Sequence, residues 1–215
     1  MSNDASLIDY YAERANEYER IYKKPERQDD LAKLKGIFQN TFAGQSVLEI
    51  ACGTAYWTQI ISQTAKSITA IDINEEVLQI ARTKNYGCQV GLQKADAFNL
   101  AFPKNFTAGL AVAWWSHLRK SEIKKFLSQF HRQFFSGSLI AFMDNKFVLG
   151  SNTPICRTDN EGNTYQLRKL ENGTQYEVLK NFPNADEARQ FVGDSAAEFS
   201  WVELQYYWFL TYKLK

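Results

Sequence analysis

A chain of 215 residues with 45% hydrophobic content, including 15 Phe, 11 Tyr and 5 Trp, has the size and apolar supply of one α/β domain. Lys and Arg number 25 against 24 Asp and Glu, and a net charge of +1 argues against nucleic acid or an anionic membrane as partner. Cys52, Cys88 and Cys156 are scattered and the histidines are His117 and His131 alone, which excludes a disulfide framework, a zinc site and a histidine metal cluster.

The first residues, Met1 to Ser6, show no basic stretch followed by an apolar one, and no long apolar run follows. The expectation is a cytoplasmic, soluble protein without a membrane span. Ile8, Tyr11, Ala15, Tyr18 and Tyr22 recur at helical spacing and predict one aromatic-faced helix over 5–22. Pro25 suits the first turn of a second helix that carries Leu31, Leu34 and Phe38 inward. From Ser46 strands and helices alternate, which predicts a parallel sheet with right-handed crossovers. Strands are expected at 46–50, 67–71, 89–94, 108–114 and 138–143, and helices at 56–65, 75–84 and 121–135. Asn74 is the expected cap of the second helix, with Glu75 and Glu76 in its first turn. Ser121 is the expected cap of the third, whose stripe is Ile123, Phe126, Leu127, Phe130 and Phe134. His131 falls beside that stripe as a partly exposed residue, and Arg119, Lys120, Lys124 and Lys125 read as the solvated face.

Residues 150–183 break the alternation. Two β-rich runs, 164–170 and 174–180, flank Glu171-Asn172-Gly173, and Asn-Gly in that setting is a strong hairpin signal. An insertion here, before a last helix at 185–193, stands above the C-terminal edge of the sheet, where ligands bind. Runs at 199–204 and 206–213 close the chain as an antiparallel pair at the sheet edge.

The chemistry concentrates in residues 47–55, Val-Leu-Glu-Ile-Ala-Cys-Gly-Thr-Ala, followed by Asp72 at the end of Ser67-Ile-Thr-Ala-Ile. A strand, a small-residue turn, a helix and an acid about 20 residues on form a βαβ unit that holds a nucleoside, the acid accepting from ribose hydroxyls. The turn argues against a dinucleotide. Gly53 is its one glycine, with Ala51 and Ala55 where others would let backbone approach a pyrophosphate. The Glu49 carboxylate would repel phosphate and suits a positively charged ligand such as S-adenosylmethionine (SAM).

These residues resemble the first motif of class I SAM-dependent methyltransferases, E-x-G-x-G-x-G, read here as Glu49-Ile-Ala51-Cys-Gly53-Thr-Ala55. Asp72 resembles the acid after the family's second strand. Lys94-Ala-Asp96-Ala97-Phe98 resembles the segment after the third, whose Asp binds the adenine amino group. Trp114-Trp115-Ser116-His117 falls where the fourth strand ends over the reacting methyl. The resemblance runs through nearly the whole chain, from Tyr10-Tyr11-Ala-Glu-Arg14-Ala-Asn-Glu-Tyr18 onward. Within the family the chain is similar to the small-molecule branch that includes the phosphonate O-methyltransferase of dehydrophos biosynthesis. The shared features are Gly53-Thr54-Ala-Tyr56-Trp57-Thr58, the Trp114-x-x-His117 pattern and Arg168-Lys169…Asn172-Gly173. Thr107 departs from the family, standing where many relatives have an Asp.

The resemblance implies a Rossmann-like, seven-stranded, mostly parallel sheet with an antiparallel last strand, helices on both faces and an inserted β-hairpin lid. All of it would form one domain over 1–215, with 1–40 as a helical cap and 150–183 over the active site. SAM would be held by Tyr11, Arg14 and Tyr18 of the cap, by Glu49, Ala51, Gly53, Thr54 and Trp57, by Asp72 and Ile73, by Asp96, Ala97 and Phe98, and by Trp114. One of the two adjacent tryptophans must face inward, and the other offers a π-face to the sulfonium. Trp115, His117, Arg168 and Lys169 are the expected substrate residues. His117 is the catalytic candidate, able to take a proton from an alcohol or to bind an anionic acceptor. No metal is expected. The excess of Arg157, Arg168, Lys169 and Lys180 in a near-neutral chain points to an anionic small-molecule substrate. The expected activity is methyl transfer from SAM to a small acidic molecule, to oxygen before nitrogen or carbon, by a monomer or homodimer. The alternative is a non-catalytic SAM-binding sensor or partner subunit. A nucleic-acid methyltransferase would need a basic face or an Asn/Asp-Pro-Pro-aromatic motif after the fourth strand, and the sequence has neither.

Overall fold

The alternation that begins at Ser46 folds into a doubly wound sheet, preceded by a helical cap; the structure, a computed structural model, describes residues 5–215. The first four residues of the expected cap lie outside the described residues. Helix α1 (Ala5–Glu13) ends well before residue 22, and the chain continues as a 3₁₀ helix over Ala15–Lys23. With three residues per turn this winding puts Ala15, Tyr18 and Ile21 on one side. Pro25 opens a short 3₁₀ turn, Pro25–Arg27, and α2 (Gln28–Thr41) follows with Leu31, Leu34 and Phe38 buried as expected.

Next come β1 (Ser46–Ile50), α3 (Tyr56–Ile61), β2 (Ser67–Asp72), α4 (Glu75–Arg82), β3 (Gln89–Lys94) and β4 (Phe106–Val112). After a 3₁₀ turn at Trp115–His117 the chain forms α5 (Ile123–His131) and β5 (Phe134–Asn145). Strands β6 (Ile155–Thr158), β7 (Thr164–Lys169) and β8 (Gln175–Leu179) form the insertion. Helix α6 (Ala185–Val192), β9 (Ala196–Glu203) and β10 (Tyr207–Leu214) close the fold. The main sheet has seven strands in the order β3-β2-β1-β4-β5-β10-β9, parallel except for β10, which runs against both neighbours. One face packs α5, α6, Trp115 and Trp208, and the other packs α2, α3 and α4.

Several local expectations are corrected. Helix α5 stops at His131 because Phe134 already belongs to β5, paired with Phe106 and packed edge-on against Phe130 at 5.1 Å. Ser121 caps nothing; its hydroxyl donates to Glu161 at 2.9 Å, inside a 3₁₀ turn that precedes α5. Asn74 holds the N-cap position of α4, but its amide donates to the Ile8 carbonyl of α1 at 3.2 Å, and Asp72 takes its N–H. The insertion is a three-stranded antiparallel sheet rather than a hairpin. Strand β6, Ile-Cys-Arg-Thr, is exposed along its length and carries no alternation to reveal it. Asn172-Gly173 does form the β7–β8 turn, with Gly173 at φ +91°. Tyr10 of α1 seats this small sheet through Leu170 and Val178. His131 is half-buried against the Tyr212 hydroxyl at 2.6 Å. Thr107 stitches the foot of the sheet, donating to Gln45 and accepting from the Ser46 N–H. Among the described residues no helix is long and apolar enough to cross a membrane.

Candidate active site

Beyond β1 the chain turns through Ala51, Gly53 and Ala55 at φ +51°, +56° and +62°. Two alanines therefore occupy the left-handed region, at about 1–2 kcal/mol each for an L-residue. Asp72 ties the turn: its Oδ2 accepts the Gly53 N–H and its Oδ1 the Asn74 N–H, both at 2.9 Å. The Gly53 N–H, held by this carboxylate, is not free to cradle a pyrophosphate. Burial raises the Asp72 carboxyl while the backbone donors at Asn74, Gly53 and Ile73 oppose that rise. Each carboxylate oxygen has a further lone pair for a ribose hydroxyl. Ala51→Gly should stabilise the chain by about 0.5–1 kcal/mol, the left-handed relief less the entropy of a freer unfolded chain. Denaturant melts read this directly, and an unchanged or lower stability would mean the turn carries no such strain.

The turn floors a cleft. Its walls come from Leu7, Ile8, Tyr11 and Tyr18 of the cap, from Asp72, Ile73, Asn74 and Val77, from residues 95–98 and 112–114, and from His117 and Leu179. Tyr18 lies over the turn, close enough that a Cβ on Gly53 would sit 3.5 Å from its ring. Phe98 packs on Trp114 at 5.7 Å, and Asp96 accepts the Phe98 N–H at 2.8 Å.

His117 sits where the cleft narrows. Its Nδ1 donates to the Leu179 carbonyl at 2.7 Å, which leaves Nε2 to accept from the Tyr11 hydroxyl at 2.7 Å. One imidazole thereby joins the turn after β4, the end of β8 and the cap. Burial, with Lys180 and Arg168 nearby, holds its pKa well below the usual histidine range.

Past Tyr11, Tyr18, Val112 and Ala113, which line both spaces, a second chamber opens. Ala113 makes the bend between them at φ +53°. Arg14, Tyr22, Asn145, Arg168, Lys180 and Tyr207 line this chamber. Lys180 is buried and donates to Asp144 Oδ1 at 2.8 Å and to the Ser116 hydroxyl at 2.5 Å. Burial brings its pKa down to about 8; Asp144 opposes that fall and Arg168 and Arg27 add to it. Burial also works against the Asp144 carboxylate, yet the Lys180 ammonium and a hydrogen bond from Ser116 hold it below its ordinary range. Arg168 donates to Gln166 at 2.8 Å and lies 5.7 Å from the Tyr10 ring, and Arg14 stacks on Tyr10 and Tyr18 at 5.6 and 5.5 Å.

Of the residues singled out in the sequence, Tyr11, Tyr18, Ala51, Gly53, Asp72, Ile73, Asp96, Ala97, Phe98, Trp114 and His117 meet at the cleft. Arg14 and Arg168 face the second chamber instead. Five do not reach either space. Glu49 is buried in the sheet between Ala70 and Leu110, accepts from the Thr58 hydroxyl at 2.6 Å and is pushed up to about 8 by burial. Thr54 turns away to donate to Glu19 at 2.7 Å. Trp57 packs on Phe38 at 4.5 Å and donates to the Tyr22 hydroxyl. Trp115 is the inward member of its pair, between Phe142 and Trp208, though both tryptophans lie beyond the end of β4. Lys169 is exposed on β7 and borders only an outer recess. Unanticipated members are Leu7, Ile8, Asn74 and Val77 at the cleft, Tyr22 and Asn145 in the chamber, and Asp144 behind Lys180. Asp144-Asn145 had a readable signal: polar residues that close the apolar run Leu-Ile-Ala-Phe-Met must find partners when buried.

Residues 47–136 match the methyltransferase-domain family. Over 70 residues the chain is 33% identical to a demethylmenaquinone methyltransferase of Staphylococcus epidermidis, an alignment that spans 31% of this chain and 29% of that protein. Among solved structures, the DhpI–SAH complex is 23% identical with a TM-score of 0.78, covering 98% of this chain and 96% of that one. The DhpI–SAM–HEP complex is 21% identical with a TM-score of 0.79 and 99% of each chain covered. Magnesium protoporphyrin IX methyltransferase of Synechocystis, with bound SAM, gives 14% identity and a TM-score of 0.66 over 100% and 98% of the two chains. Residues 47–136 thus carry a methyltransferase-domain match, and nearly the whole chain has the fold of these SAM- and SAH-bound structures.

Proposed function

We propose that this chain transfers a methyl group from SAM to an oxygen of a small anionic molecule. The observation that carries this reading is the junction of the two spaces: an acid-floored cleft opens past Tyr11 and Ala113 onto a chamber holding Arg14, Arg168 and Lys180. SAM, when bound, supplies an electrophilic methyl for an in-line displacement. Asp72 would accept from the ribose hydroxyls, Asp96 from the adenine amino group, and Tyr18 would cover the turn. Much of the acceleration then comes from alignment, which the cap and the bend at Ala113 supply.

The state of His117 narrows the acceptor. Its Nε2 is already taken by the Tyr11 hydroxyl, and with a pKa below the usual histidine range it is poorly suited to removing a proton from an alcohol. The acceptor oxygen therefore arrives already ionised, as in a carboxylate or phosphonate, and the cations of the chamber hold it. The small molecule present with DhpI and SAM supports a small acceptor. In this reading His117 is a positioning residue that pins Tyr11 of the cap over the junction. His117→Ala should then lower kcat by less than about tenfold and raise both Michaelis constants, whereas a loss of roughly 10²–10⁴ would mark a general base.

Lys180 gives the acceptor affinity a pH dependence. Only its protonated form attracts an anion, and with a pKa of about 8 that charge fades as the solution becomes more alkaline. The acceptor KM should climb from about pH 7.5 to 9.5 while kcat changes little. A KM that stays flat over that range would remove Lys180 from the binding site.

Thermal shifts in the presence of S-adenosylhomocysteine test the anionic acceptor without requiring turnover, because a ligand stabilises only the state that binds it. Small phosphonates and carboxylates should raise the melting temperature and their neutral amides and alcohols should not. Equal shifts from the neutral analogues would overturn the anionic reading.

A further inference from the structure

On its far side the acceptor chamber meets an outer recess of about 350 Å³, which shares Arg14, Ile21, Asn145, Arg168 and Lys180 with the chamber and no residue with the cleft. Seven Arg and Lys side chains line this recess against one carboxylate, Glu17. In a chain of net charge +1 such a concentration is local, not a consequence of composition. Little of it is neutralised. Lys180 is paired with Asp144 at 2.8 Å, Arg20 with Glu171, and Lys24 has Glu26 only at 3.9 Å. Among the described residues, no carboxylate lies within 4.0 Å of Arg14, Arg27, Arg168 or Lys169. Glu17 itself is turned to the β7–β8 turn, where it accepts the Glu171 N–H at 3.2 Å.

Arg27 makes the imbalance costly. It is 1% exposed, and every partner it has is neutral. Its Nε and Nη2 donate to the Ser151 hydroxyl at 3.1 and 3.0 Å, and its Nη1 donates to Asn145 at 2.8 Å. The rings of Tyr206 and Tyr207 lie 5.5 Å from the guanidinium. The Glu26 carboxylate takes the Ser151 hydroxyl at 2.9 Å and so meets Arg27 only through that hydroxyl, without a direct ion pair. Lys24 and Lys180 register the same field, since burial and the nearby Arg27 both depress their pKa values. A built cavity with a buried cation that has no direct ion-pair partner and a seven-to-one excess of basic side chains, continuous with the site of the acceptor's first anionic group, is complementary to a second one.

We propose that the recess is a second anionic subsite, so that the acceptor carries two separated anionic groups: one held in the chamber by Arg168 and Lys180, the other in the recess lined by Lys24, Arg27 and Lys169. This rests on the methyltransferase reading above and narrows its substrate class from small acids in general to bis-anions, such as a phosphonate with a distal carboxylate.

Calorimetric titration of the full chain saturated with S-adenosylhomocysteine, at constant ionic strength, tests this with methylphosphonate and a series of ω-carboxyalkylphosphonates of increasing length. The best-fitting bis-anion should bind about tenfold or more tighter than methylphosphonate. In the double variant Lys24→Gln/Lys169→Gln that advantage should fall several-fold, with methylphosphonate affinity unchanged and S-adenosylhomocysteine affinity confirming the fold. Bis-anions no tighter than methylphosphonate at any length, or an advantage that survives the double variant, would overturn the subsite and leave the small-acid reading standing. No binding by any of these anions would remove both.

Discussion

Asp144→Ala should destabilise the folded chain by about 3–5 kcal/mol, the cost of leaving a buried cation without its partner. Asp144 is fully buried and holds the Lys180 ammonium at 2.8 Å, the Ser116 N–H at 3.0 Å and the Asn145 N–H at 2.7 Å. Removing the carboxylate leaves an ammonium among other cations, with Arg168 and Arg27 near it. The cost should lie in that orphaned charge and not in lost packing. Asp144→Ala combined with Lys180→Met should therefore recover most of the stability while acceptor binding stays lost. Urea unfolding of the two variants decides it. A single variant within about 1 kcal/mol of the parent would show that the pair does not behave as a buried ion pair.

Arg168→Ala is expected to have the larger effect on substrate. A charge-assisted hydrogen bond contributes about 1.5–3 kcal/mol, so the acceptor KM should rise roughly 10–150-fold, with kcat changing little. Arg168 lies in the chamber, beside Tyr10 and Gln166, and meets the cleft only through Tyr11, so SAM affinity should change far less than the acceptor KM. Arg168→Lys should recover only part of the loss, because an ammonium does not reproduce the planar, forked geometry of a guanidinium. Steady-state kinetics separates these effects. A fall in kcat at constant KM would place Arg168 at the reacting atoms instead.

The parts of the site that were legible in the sequence are those set by local geometry. The β1–turn–α3 unit, the acid at the end of β2 and the Asn172-Gly173 turn each follow from residues within one short stretch. Tyr11 and Tyr18 of the cap and Asp96 to Phe98 after β3 were placed at the cleft by the resemblance of their segments to the family's motifs, not by strand or helix period. What escaped is what depends on the third dimension. Thr54 and Trp57 belong to the motif segment, yet the turn before α3 points Thr54 to Glu19 and the first turn of α3 points Trp57 to Phe38, both away from the cleft. Glu49 looked like a carboxylate at the mouth of a strand, but it lies within the sheet and its carboxylate is buried against Thr58 of α3. The Lys180–Asp144 pair joins the inserted sheet to β5 across 36 positions, and Arg27 reaches Ser151 across 124; no short-range pattern encodes either contact. The 3₁₀ winding after Glu13 was masked because Tyr11, Ala15, Tyr18 and Tyr22 fit an α-helical stripe equally well. Strand β6 was hidden because its four exposed residues do not alternate.

Methyl transfer to an ionised oxygen can be read from a single-turnover reaction in which stoichiometric protein, methyl-labelled SAM and a panel of small bis-anionic and mono-anionic acids are mixed and every product is resolved by mass spectrometry. The label should appear as a methyl ester on an acid, with matching release of S-adenosylhomocysteine. It should be absent from the corresponding amides and alcohols, and Asp72→Ala should reduce the yield by weakening SAM binding. SAM bound tightly with no label leaving it would mean a SAM-binding sensor and not an enzyme. Label on an alcohol, an amine or a carbon would contradict the ionised-oxygen acceptor that His117 and the cationic chamber imply.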